Sequence, residues 1–258
     1  MLLKNATGKS LPREKKPKGV LFPTITMSGP EQMATDVILL NKAIKDSNIS
    51  FALRFYNWNG FWISIGKNQK EIPKSWLELV SERKINLVRR PSGGTAVLHG
   101  AGLTYSLVWI SPPRQKLEAY YLASKWLIKG LSDLGLSLQF GTESTNPYDK
   151  NCFATATSAD LIDAEGQKRI GSAQLWRKGH LLQHGEILLD PPSKLWMEIF
   201  DTKAPKPASS CIPRDNLDKI LYETCCNYWS GFDWEAGEIE QKEFEQISKD
   251  AGKYFFRK

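Results

Sequence analysis

The chain has 258 residues, of which 41% are hydrophobic and 24% are charged. This composition predicts a globular protein whose core is large enough to be stable without disulfides. No apolar run is long enough to span a membrane, and the polar N-terminal stretch lacks the apolar segment of a signal peptide. The cysteines show no Cys-x-x-Cys spacing, which predicts free thiols in a reducing, cytoplasmic compartment; they are Cys152, Cys211, Cys225 and Cys226.

Most of the positive charge is concentrated at the N-terminus. The formal net charge is +7. Residues 1–19 account for +5 of it, which leaves +2 for the rest of the chain. A charge cluster of this kind predicts a disordered basic tail over 1–19. A nucleic-acid contact and an organelle-targeting segment are the alternatives, and neither is favoured.

Helical signals recur along the chain. Ser28 and Glu31 have the spacing of a capping box, with Pro30 in the first turn. Apolar residues at helical spacing follow this start and recur in later segments. They predict helices over 30–45, 73–83, 117–134, 194–200, 217–229 and 238–256.

Strand signals lie between these helices. Alternating segments 51–58 and 61–66 flank Asn59-Gly60 and predict a hairpin. A second hairpin is expected from 168–176 and 180–189, after a turn at 164–167. Residues 153–162 are a further candidate strand, and 201–213 is expected to be a surface linker. The mixed order predicts an α+β fold with a mostly antiparallel sheet flanked by helices.

The segment Arg89–His99 has the most distinctive composition. Gly93 and Gly94 allow the backbone to approach a ligand closely, because no Cβ blocks it. Their N–H groups and the Arg90 guanidinium could bind an anion. A plain glycine hairpin with solvated arginines is the alternative.

A second small-residue segment, Gly171–Ala173, follows Lys168 and precedes the strand that carries His184. Lys168 beside this turn could bind an anion, and a solvated hairpin lysine is the alternative. Cys152 lies between the two segments, where a buried hydrophobic role competes with that of a nucleophile activated by Lys168. His180 and His184 leave a zinc site as a less favoured alternative, because they lie on strands rather than on one helix.

Together these segments resemble the lipoate–protein ligase and octanoyltransferase family over about 28–190. The matching motifs are Arg89–His99, Gly171–Gln174 and Leu182–Leu189, with the earlier Gln32–Asp36, Arg54–Tyr56, Trp58 and Ser64–Gln69. The resemblance implies a fold related to the catalytic domains of biotin ligases and class II aminoacyl-tRNA synthetases. It also implies one catalytic domain over 20–258, with a core at 28–190 and a C-terminal helical extension at 191–258.

Two chemistries are known in this family. One transfers octanoyl groups from acyl carrier protein to a lysine through a cysteine thioester, and the other activates lipoate with ATP. The position of Cys152 is similar to that of the cysteine-dependent enzymes. The resemblance therefore implies Cys152 and Lys168 as catalytic residues, with Lys168 as base and acid. The implied substrate-binding residues are Arg90, Ser92, Gly93, Gly94, His99, Gly171, Ser172, Ala173 and His184.

The expected enzyme is a monomer that needs no cofactor or metal and binds no membrane or nucleic acid. Its implied partners are acyl carrier protein and lipoyl domains of 2-oxoacid dehydrogenase complexes or the glycine cleavage H protein. The ligase alternative requires ATP and Mg²⁺, with Asp160 as a candidate metal ligand. A non-enzymatic acyl-binding module is a third alternative. Thr95 and Gly100 depart from the family pattern, at the third glycine and at the acid after the histidine.

Overall fold

The computed structural model describes residues 16–142, 153 and 157–256. Within these residues, strands and helices are interleaved along the chain. In chain order they are β1 (Lys18–Met27), α1 (Gly29–Lys45), β2 (Ile49–Trp58), β3 (Trp62–Ile65), α2 (Lys74–Ser81), β4 (Asn86–Arg89), β5 (Val97–His99), β6 (Gly102–Trp109), α3 (Lys116–Asp133), β7 (Gln139–Phe140), β8 (Leu161–Ile162), β9 (Lys168–Arg177), β10 (His180–Leu188), α4 (Ser193–Phe200), α5 (Leu217–Tyr228), β11 (Asp233–Ala236) and α6 (Gln241–Ala251).

The large sheet has the strand order β11-β1-β2-β6-β10-β9-β8-β7. Its β11–β1 and β1–β2 pairings are parallel, whereas the pairings from β2 to β7 are antiparallel. Helix α3 and α5 pack on one face, where Trp126, Leu127 and Leu221 enter a core with Phe51 and Phe55. Helix α1 packs against β2 and β10. The predicted α+β fold with a mostly antiparallel sheet is confirmed.

The predicted hairpin of 51–58 and 61–66 is wrong. Gly60 has a φ of +88° and does form a turn. However, β3 pairs with β4 and β5 in a separate three-stranded sheet. Both edges of β2 are already taken by β1 and β6, so no edge remains for β3.

Helix α1 begins as its sequence predicts. The Ser28 backbone N–H donates to Glu31 Oε2 over 3.0 Å, which is one half of the capping box. Its buried side includes Met33 and Leu40, but also the polar Gln32 and Asp36, each fully buried. A buried carboxylate requires a partner, and Asp36 obtains its partners from distant strands.

The β9–β10 hairpin is confirmed, and Gly166 in the preceding turn has a φ of +76°. The predicted strand over 153–162 is mostly wrong. Among the described residues of that range only Leu161–Ile162 is a strand. Asp160 Oδ2 instead accepts hydrogen bonds from Thr157 N and Oγ1, both at 2.9 Å, and closes a turn.

Both ends of the chain differ from the prediction. Strand β1 starts at Lys18, inside the stretch expected to be a disordered tail, of which residues 1–15 are not described. The last predicted helix is shorter, α6, and it is preceded by β11, which pairs with β1. The expected surface linker contributes Ala208 and Ile212 to the main core. None of the helices in the described part is long and apolar enough to cross a membrane.

Candidate active site

A cavity lies where the Gly93-Gly94 turn meets β9 and β10. Small residues form much of its wall, which leaves room for a ligand close to the backbone. Histidines and a glutamate supply polar groups on one side. The lining residues are Met33, Tyr56, Ser64, Arg90, Gly94, Val97, His99, Thr104, Gly171, Ser172, Ala173, His184, Gly185 and Glu186.

The glycine-rich turn is held by close backbone contact and by Arg90. A Cβ on Gly66 would lie 1.9 Å from the Gly94 carbonyl oxygen, so the two loops touch only because Gly66 lacks one. The buried Arg90 guanidinium donates to the carbonyl oxygens of Gly93 (2.6 Å), Thr95 (2.7 Å) and Ser64 (2.7 Å). Arg90 therefore fixes the shape of the turn while it lines the cavity.

Three side chains in hydrogen-bond contact connect α1, β10 and the glycine-rich turn. We call these residues, Asp36, His184 and Ser92, the aspartate chain. His184 Nδ1 lies 2.8 Å from Asp36 Oδ2, and His184 Nε2 lies 2.6 Å from Ser92 Oγ. All three residues are buried. A carboxylate–imidazole–hydroxyl arrangement of this kind fixes the orientation of the ring.

Arg54 compensates the charge of the aspartate chain. Its Nε and Nη2 donate to Asp36 Oδ1 at 3.0 and 2.6 Å, and the guanidinium stacks 4.0 Å from the Tyr56 ring. Burial by itself raises the pKa of Asp36, but Arg54 and His184 together outweigh burial, so that the pKa is lowered. The Tyr56 hydroxyl donates to Asp36 Oδ2 over 3.3 Å. Both carboxylate oxygens therefore have partners.

A second series of a carboxylate, an imidazole and a hydroxyl lines the cavity. We call these residues, Glu186, His99 and Ser64, the glutamate chain. His99 Nδ1 lies 2.8 Å from Glu186 Oε2, and His99 Nε2 lies 2.8 Å from Ser64 Oγ. Thr104 also donates to Glu186 Oε2. The His99 ring stacks on Trp58 at 4.1 Å between centroids. Glu186 Oε1 is buried and has no hydrogen-bond partner among the described residues.

Among the described residues, no lysine or arginine bonds to the Glu186 carboxylate as Arg54 bonds to Asp36, although Arg90 Nη1 donates to Ser64 Oγ of the same chain. Burial lowers the pKa of His99, and the attraction of Glu186 offsets this only in part. The net direction favours a neutral imidazole near pH 7.

A third series of hydrogen bonds begins at Gly171–Ala173, in the wall of the cavity. Ser172 Oγ lies 2.7 Å from the Tyr105 hydroxyl, which in turn accepts a hydrogen bond from Gln183 Nε2 at 2.8 Å. Burial raises the pKa of Tyr105 to about 12, so the hydroxyl stays protonated. These bonds fix β9 against β6 and β10 at the wall of the cavity.

Lys168 is buried at the start of β9. Its Nζ lies 2.9 Å from Asp160 Oδ2 and 5.7 Å from the centre of the Phe153 ring. Phe153 directly follows Cys152 in the chain, and Cys152 itself lies outside the described residues. Its predicted nucleophilic role therefore stays a prediction. Asp160, the candidate magnesium ligand, is engaged by Lys168 and by the Thr157 turn.

The structure brings most of the predicted binding residues to one cavity. The lining includes Arg90, Gly94, His99, Gly171, Ser172, Ala173 and His184. Ser92 contacts His184 directly, and the Gly93 carbonyl accepts from Arg90. Lys168 is not among the lining residues.

Sequence reasoning missed the acidic partners of the histidines and the arginine beside them. Asp36 follows Met33 on the buried side of α1, and Arg54 lies between the buried apolar residues Leu53 and Phe55 of β2. A charged residue at such a position is rarely buried without a partner, and this was the signal available. Glu186, at the second position after His184, gave the same signal.

The two zinc candidates of the sequence have different partners. His180 Nδ1 accepts a hydrogen bond from Ser111 N at 3.2 Å, whereas His184 belongs to the aspartate chain. Among the described residues, no three His, Cys, Asp or Glu side chains cluster as metal ligands.

The family model of the lipoyl protein ligase A/B catalytic domain matches residues 28–221, and the chain belongs to that family. Curated relatives are named octanoyltransferase LipM. The relative from Halalkalibacterium halodurans is 36% identical over 181 residues, which are 66% of this chain and 65% of the relative. That from Carboxydothermus hydrogenoformans is 39% identical over 172 residues, 64% of this chain and 62% of the relative. The chain thus spans just under two thirds of these relatives' length.

Solved structures share the fold. Lipoate-protein ligase A bound with ATP has a TM-score of 0.73 at 22% identity, covering 92% of this chain and 95% of its own. A bipartite lipoate protein ligase of Thermoplasma acidophilum, studied with its E2 lipoyl domain, has a TM-score of 0.68 at 19% identity and covers 92% of each chain.

Proposed function

We propose that this protein transfers an octanoyl group from acyl carrier protein to a lysine of a lipoyl domain, through a thioester on Cys152. Its relatives named octanoyltransferases, 36–39% identical over most of the chain, support the reaction class. The structural observation that carries the mechanism is the buried Lys168 beside Phe153, because Phe153 adjoins Cys152 in sequence. A cation near a thiol favours the reactive thiolate.

In the first half-reaction the Cys152 thiolate attacks the carbonyl carbon of the acyl carrier protein thioester. A new C–S bond forms, the old one breaks, and the carrier's thiol leaves with a proton for which Lys168 is the proposed donor. Strand β8 pairs with β9 only as far as Ile170. Within Gly171–Ala173, which also pairs with β10, the backbone N–H groups that point away from β10 are therefore the proposed stabilisers of the oxyanion.

The proposed acceptor is a lysine on a lipoyl domain of a 2-oxoacid dehydrogenase complex or on the glycine cleavage H protein. The family and the lipoyl domain studied with the T. acidophilum ligase support this choice. The thiols of Cys211, Cys225 and Cys226 are free, which fits the reducing cytoplasm that we propose as the compartment.

The first experiment incubates the purified protein with octanoyl acyl carrier protein in the absence of ATP and measures its intact mass. We expect one octanoyl adduct in the wild type and none in Cys152→Ala. Cys211→Ala, which removes an exposed free thiol, is the matched control and should keep the adduct.

The ATP-dependent ligase is the competing outcome. If no adduct forms and a lipoyl domain is modified only when lipoate and ATP are added, the transferase proposal is wrong. Cys152→Ala would then modify the domain as fast as the wild type.

A further inference from the structure

We propose that Tyr254, in the C-terminal segment 252–256, limits the length of the acyl chain that this site accepts, because it supports Met33 at the β2 end of the cavity. The inference deepens the proposed function and rests on it for the class of ligand, an unbranched acyl chain. It assigns a specificity-determining residue outside residues 28–221, the part of the chain that the family model matches.

The cavity crosses the large sheet along one row of paired residues. Tyr56 on β2 pairs with Thr104 on β6, and Thr104 pairs with Glu186 on β10. Glu186 in turn pairs with Gly171 on β9. All four residues line the cavity. Because neighbouring strands lie about 4.8 Å apart, the row extends about 14 Å from β2 to β9.

This row gives an acyl chain its direction. The reacting end belongs at β9, where the backbone of Gly171–Ala173 is proposed to stabilise the oxyanion. The methyl end then lies at β2, where the lining includes Met33 and Tyr56. These two residues belong to one buried hydrophobic cluster. The thioether of Met33 and the Tyr56 ring therefore form the apolar surface that the end of the chain contacts.

Met33 is the adaptable member of this pair. The Tyr56 hydroxyl donates to Asp36 Oδ2 over 3.3 Å, and the Arg54 guanidinium lies 4.0 Å from the centre of the Tyr56 ring. These contacts fix the Tyr56 ring. Met33 is buried and unbranched, and a methionine side chain with three rotatable bonds adjusts to the space around it. The packing behind Met33 therefore decides how far it extends into the cavity.

Tyr254 supplies that packing. Its side chain packs against the cluster that contains Met33 and Tyr56, but it is not among the residues that line the cavity. Burial raises the pKa of Tyr254, and the carboxylate of Asp36 raises it further, so the ring lies near the side of α1 that carries Met33. Removal of the ring would leave space behind Met33, into which this side chain can move.

The backbone holds the C-terminal segment in place independently of the Tyr254 side chain. The Arg89 N–H donates to the Tyr254 carbonyl oxygen over 2.9 Å. Phe255 forms an antiparallel bridge with Val88 of β4. Neither contact uses the Tyr254 ring. A substitution at this position therefore changes the volume behind Met33 and keeps the path of the chain.

The other aromatic members of the cluster are less suited to this test. Trp58 Nε1 donates to Thr104 Oγ1 over 2.7 Å, and Trp62 Nε1 donates to Asn59 Oδ1 over 3.0 Å. Substitution of either tryptophan removes a hydrogen bond together with the volume. Tyr254 is therefore the position at which the end of the cavity can be changed with the least disturbance of its polar groups.

The experiment measures binding and transfer as functions of acyl-chain length on the full-length protein. Isothermal titration gives the affinity for unbranched alkanoates from hexanoate to dodecanoate. Transfer to a lipoyl domain is measured from acyl carrier protein that carries the corresponding acyl groups. Tyr254→Ala removes the ring, and Tyr254→Phe removes the hydroxyl alone. Tyr228→Ala removes a tyrosine ring that is 42% exposed and outside the cavity lining, and it is the matched control.

We expect the wild-type affinity to rise about fourfold with each methylene as far as octanoate and to stop rising beyond it. In Tyr254→Ala the rise should continue to decanoate, so that the preference for decanoate over octanoate increases about 10-fold. The ratio of the transfer rates for decanoyl and octanoyl groups should shift in the same direction. Tyr254→Phe and Tyr228→Ala should keep the wild-type length profile. A loss of stability alone lowers the affinity for all lengths together and leaves the preferred length unchanged.

An unchanged preferred length in Tyr254→Ala overturns the inference, and so does an equal shift in Tyr254→Phe or Tyr228→Ala. If Tyr254→Ala does not fold, Tyr254→Leu takes its place, and an unchanged preferred length in that variant also overturns the inference. Alkanoate binding with the expected shift, but without acyl transfer by the wild type, supports the inference and contradicts the proposed function. The two failures are therefore distinguishable.

Discussion

The aspartate chain and the glutamate chain repeat one order of groups, carboxylate to imidazole to hydroxyl, in different electrostatic settings. Arg54 neutralises Asp36 from a fully buried position, with both carboxylate oxygens bonded. No lysine or arginine in the described part of the chain bonds to Glu186, and its Oε1 lacks a described partner. The same residue types are therefore bonded to a compensating cation in one place and not in the other. The compensating charge, not the residue pattern, distinguishes the two chains.

Loss of the buried ion pair between Arg54 and Asp36 should have the largest effect on stability. Arg54→Met leaves Asp36 as an uncompensated buried charge, which costs about 3–5 kcal/mol of the free energy of unfolding. Urea denaturation measures it. Arg214→Met, which breaks the exposed pair with Asp190, is the control and should cost about 1 kcal/mol or less. An equal decrease in the free energy of unfolding in the two variants would contradict the role of Arg54 in compensating the Asp36 charge.

A second substitution disturbs the backbone contact between Gly66 and Gly94, which is close in sequence to the serine of each chain. Ser64 and Ser92 lie two residues before Gly66 and Gly94, which touch. Gly66→Ala places a Cβ 1.9 Å from the Gly94 carbonyl, and relief of this clash should cost about 1–3 kcal/mol. Transfer activity should fall with it, because both hydroxyls move. Gly231→Ala meets nothing within 4 Å and should leave stability and activity close to those of the wild type.

The smallest expected effect is on the pH dependence of the free energy of unfolding, in which the two chains should differ. The folded-state pKa of His99 is below its ordinary 6.5, so the unfolded chain binds more protons there. The free energy of unfolding should therefore fall as the pH drops below about 6.5, by at most about 1.4 kcal/mol per pH unit. The Asp36 pKa is also lowered, from 3.8, so its contribution is lost only below that value.

Denaturation from pH 7.5 to about pH 2, in buffers of constant ionic strength, would resolve the two steps. His99→Asn should flatten the upper step alone, and Asp36→Asn the lower one. His180→Asn is the control for the upper step. If the upper step is unchanged in His99→Asn, the pH dependence in that range arises from another titratable group.

Local signals predicted much of the secondary structure. The capping box at Ser28 and the apolar periodicity predicted α1, and Gly179 between the segments 168–176 and 180–189 predicted the β9–β10 hairpin, because these signals depend on neighbouring residues. The Asn59-Gly60 turn was also real, but the strands it joins enter different sheets. A turn reverses the chain without deciding which strand edge is available, and distant strands β1 and β6 had occupied both edges of β2.

The sequence by itself determined the family, the glycine-rich turn and most residues of the cavity wall, since these are contiguous motifs. Only the tertiary structure decided which charges meet. Asp36 and His184 are 148 positions apart, and His99 and Glu186 are 87 apart. Ion pairs between buried groups depend on distance and burial, which strand order sets and residue order does not. The difference in charge compensation between the two chains is therefore a property of the folded chain.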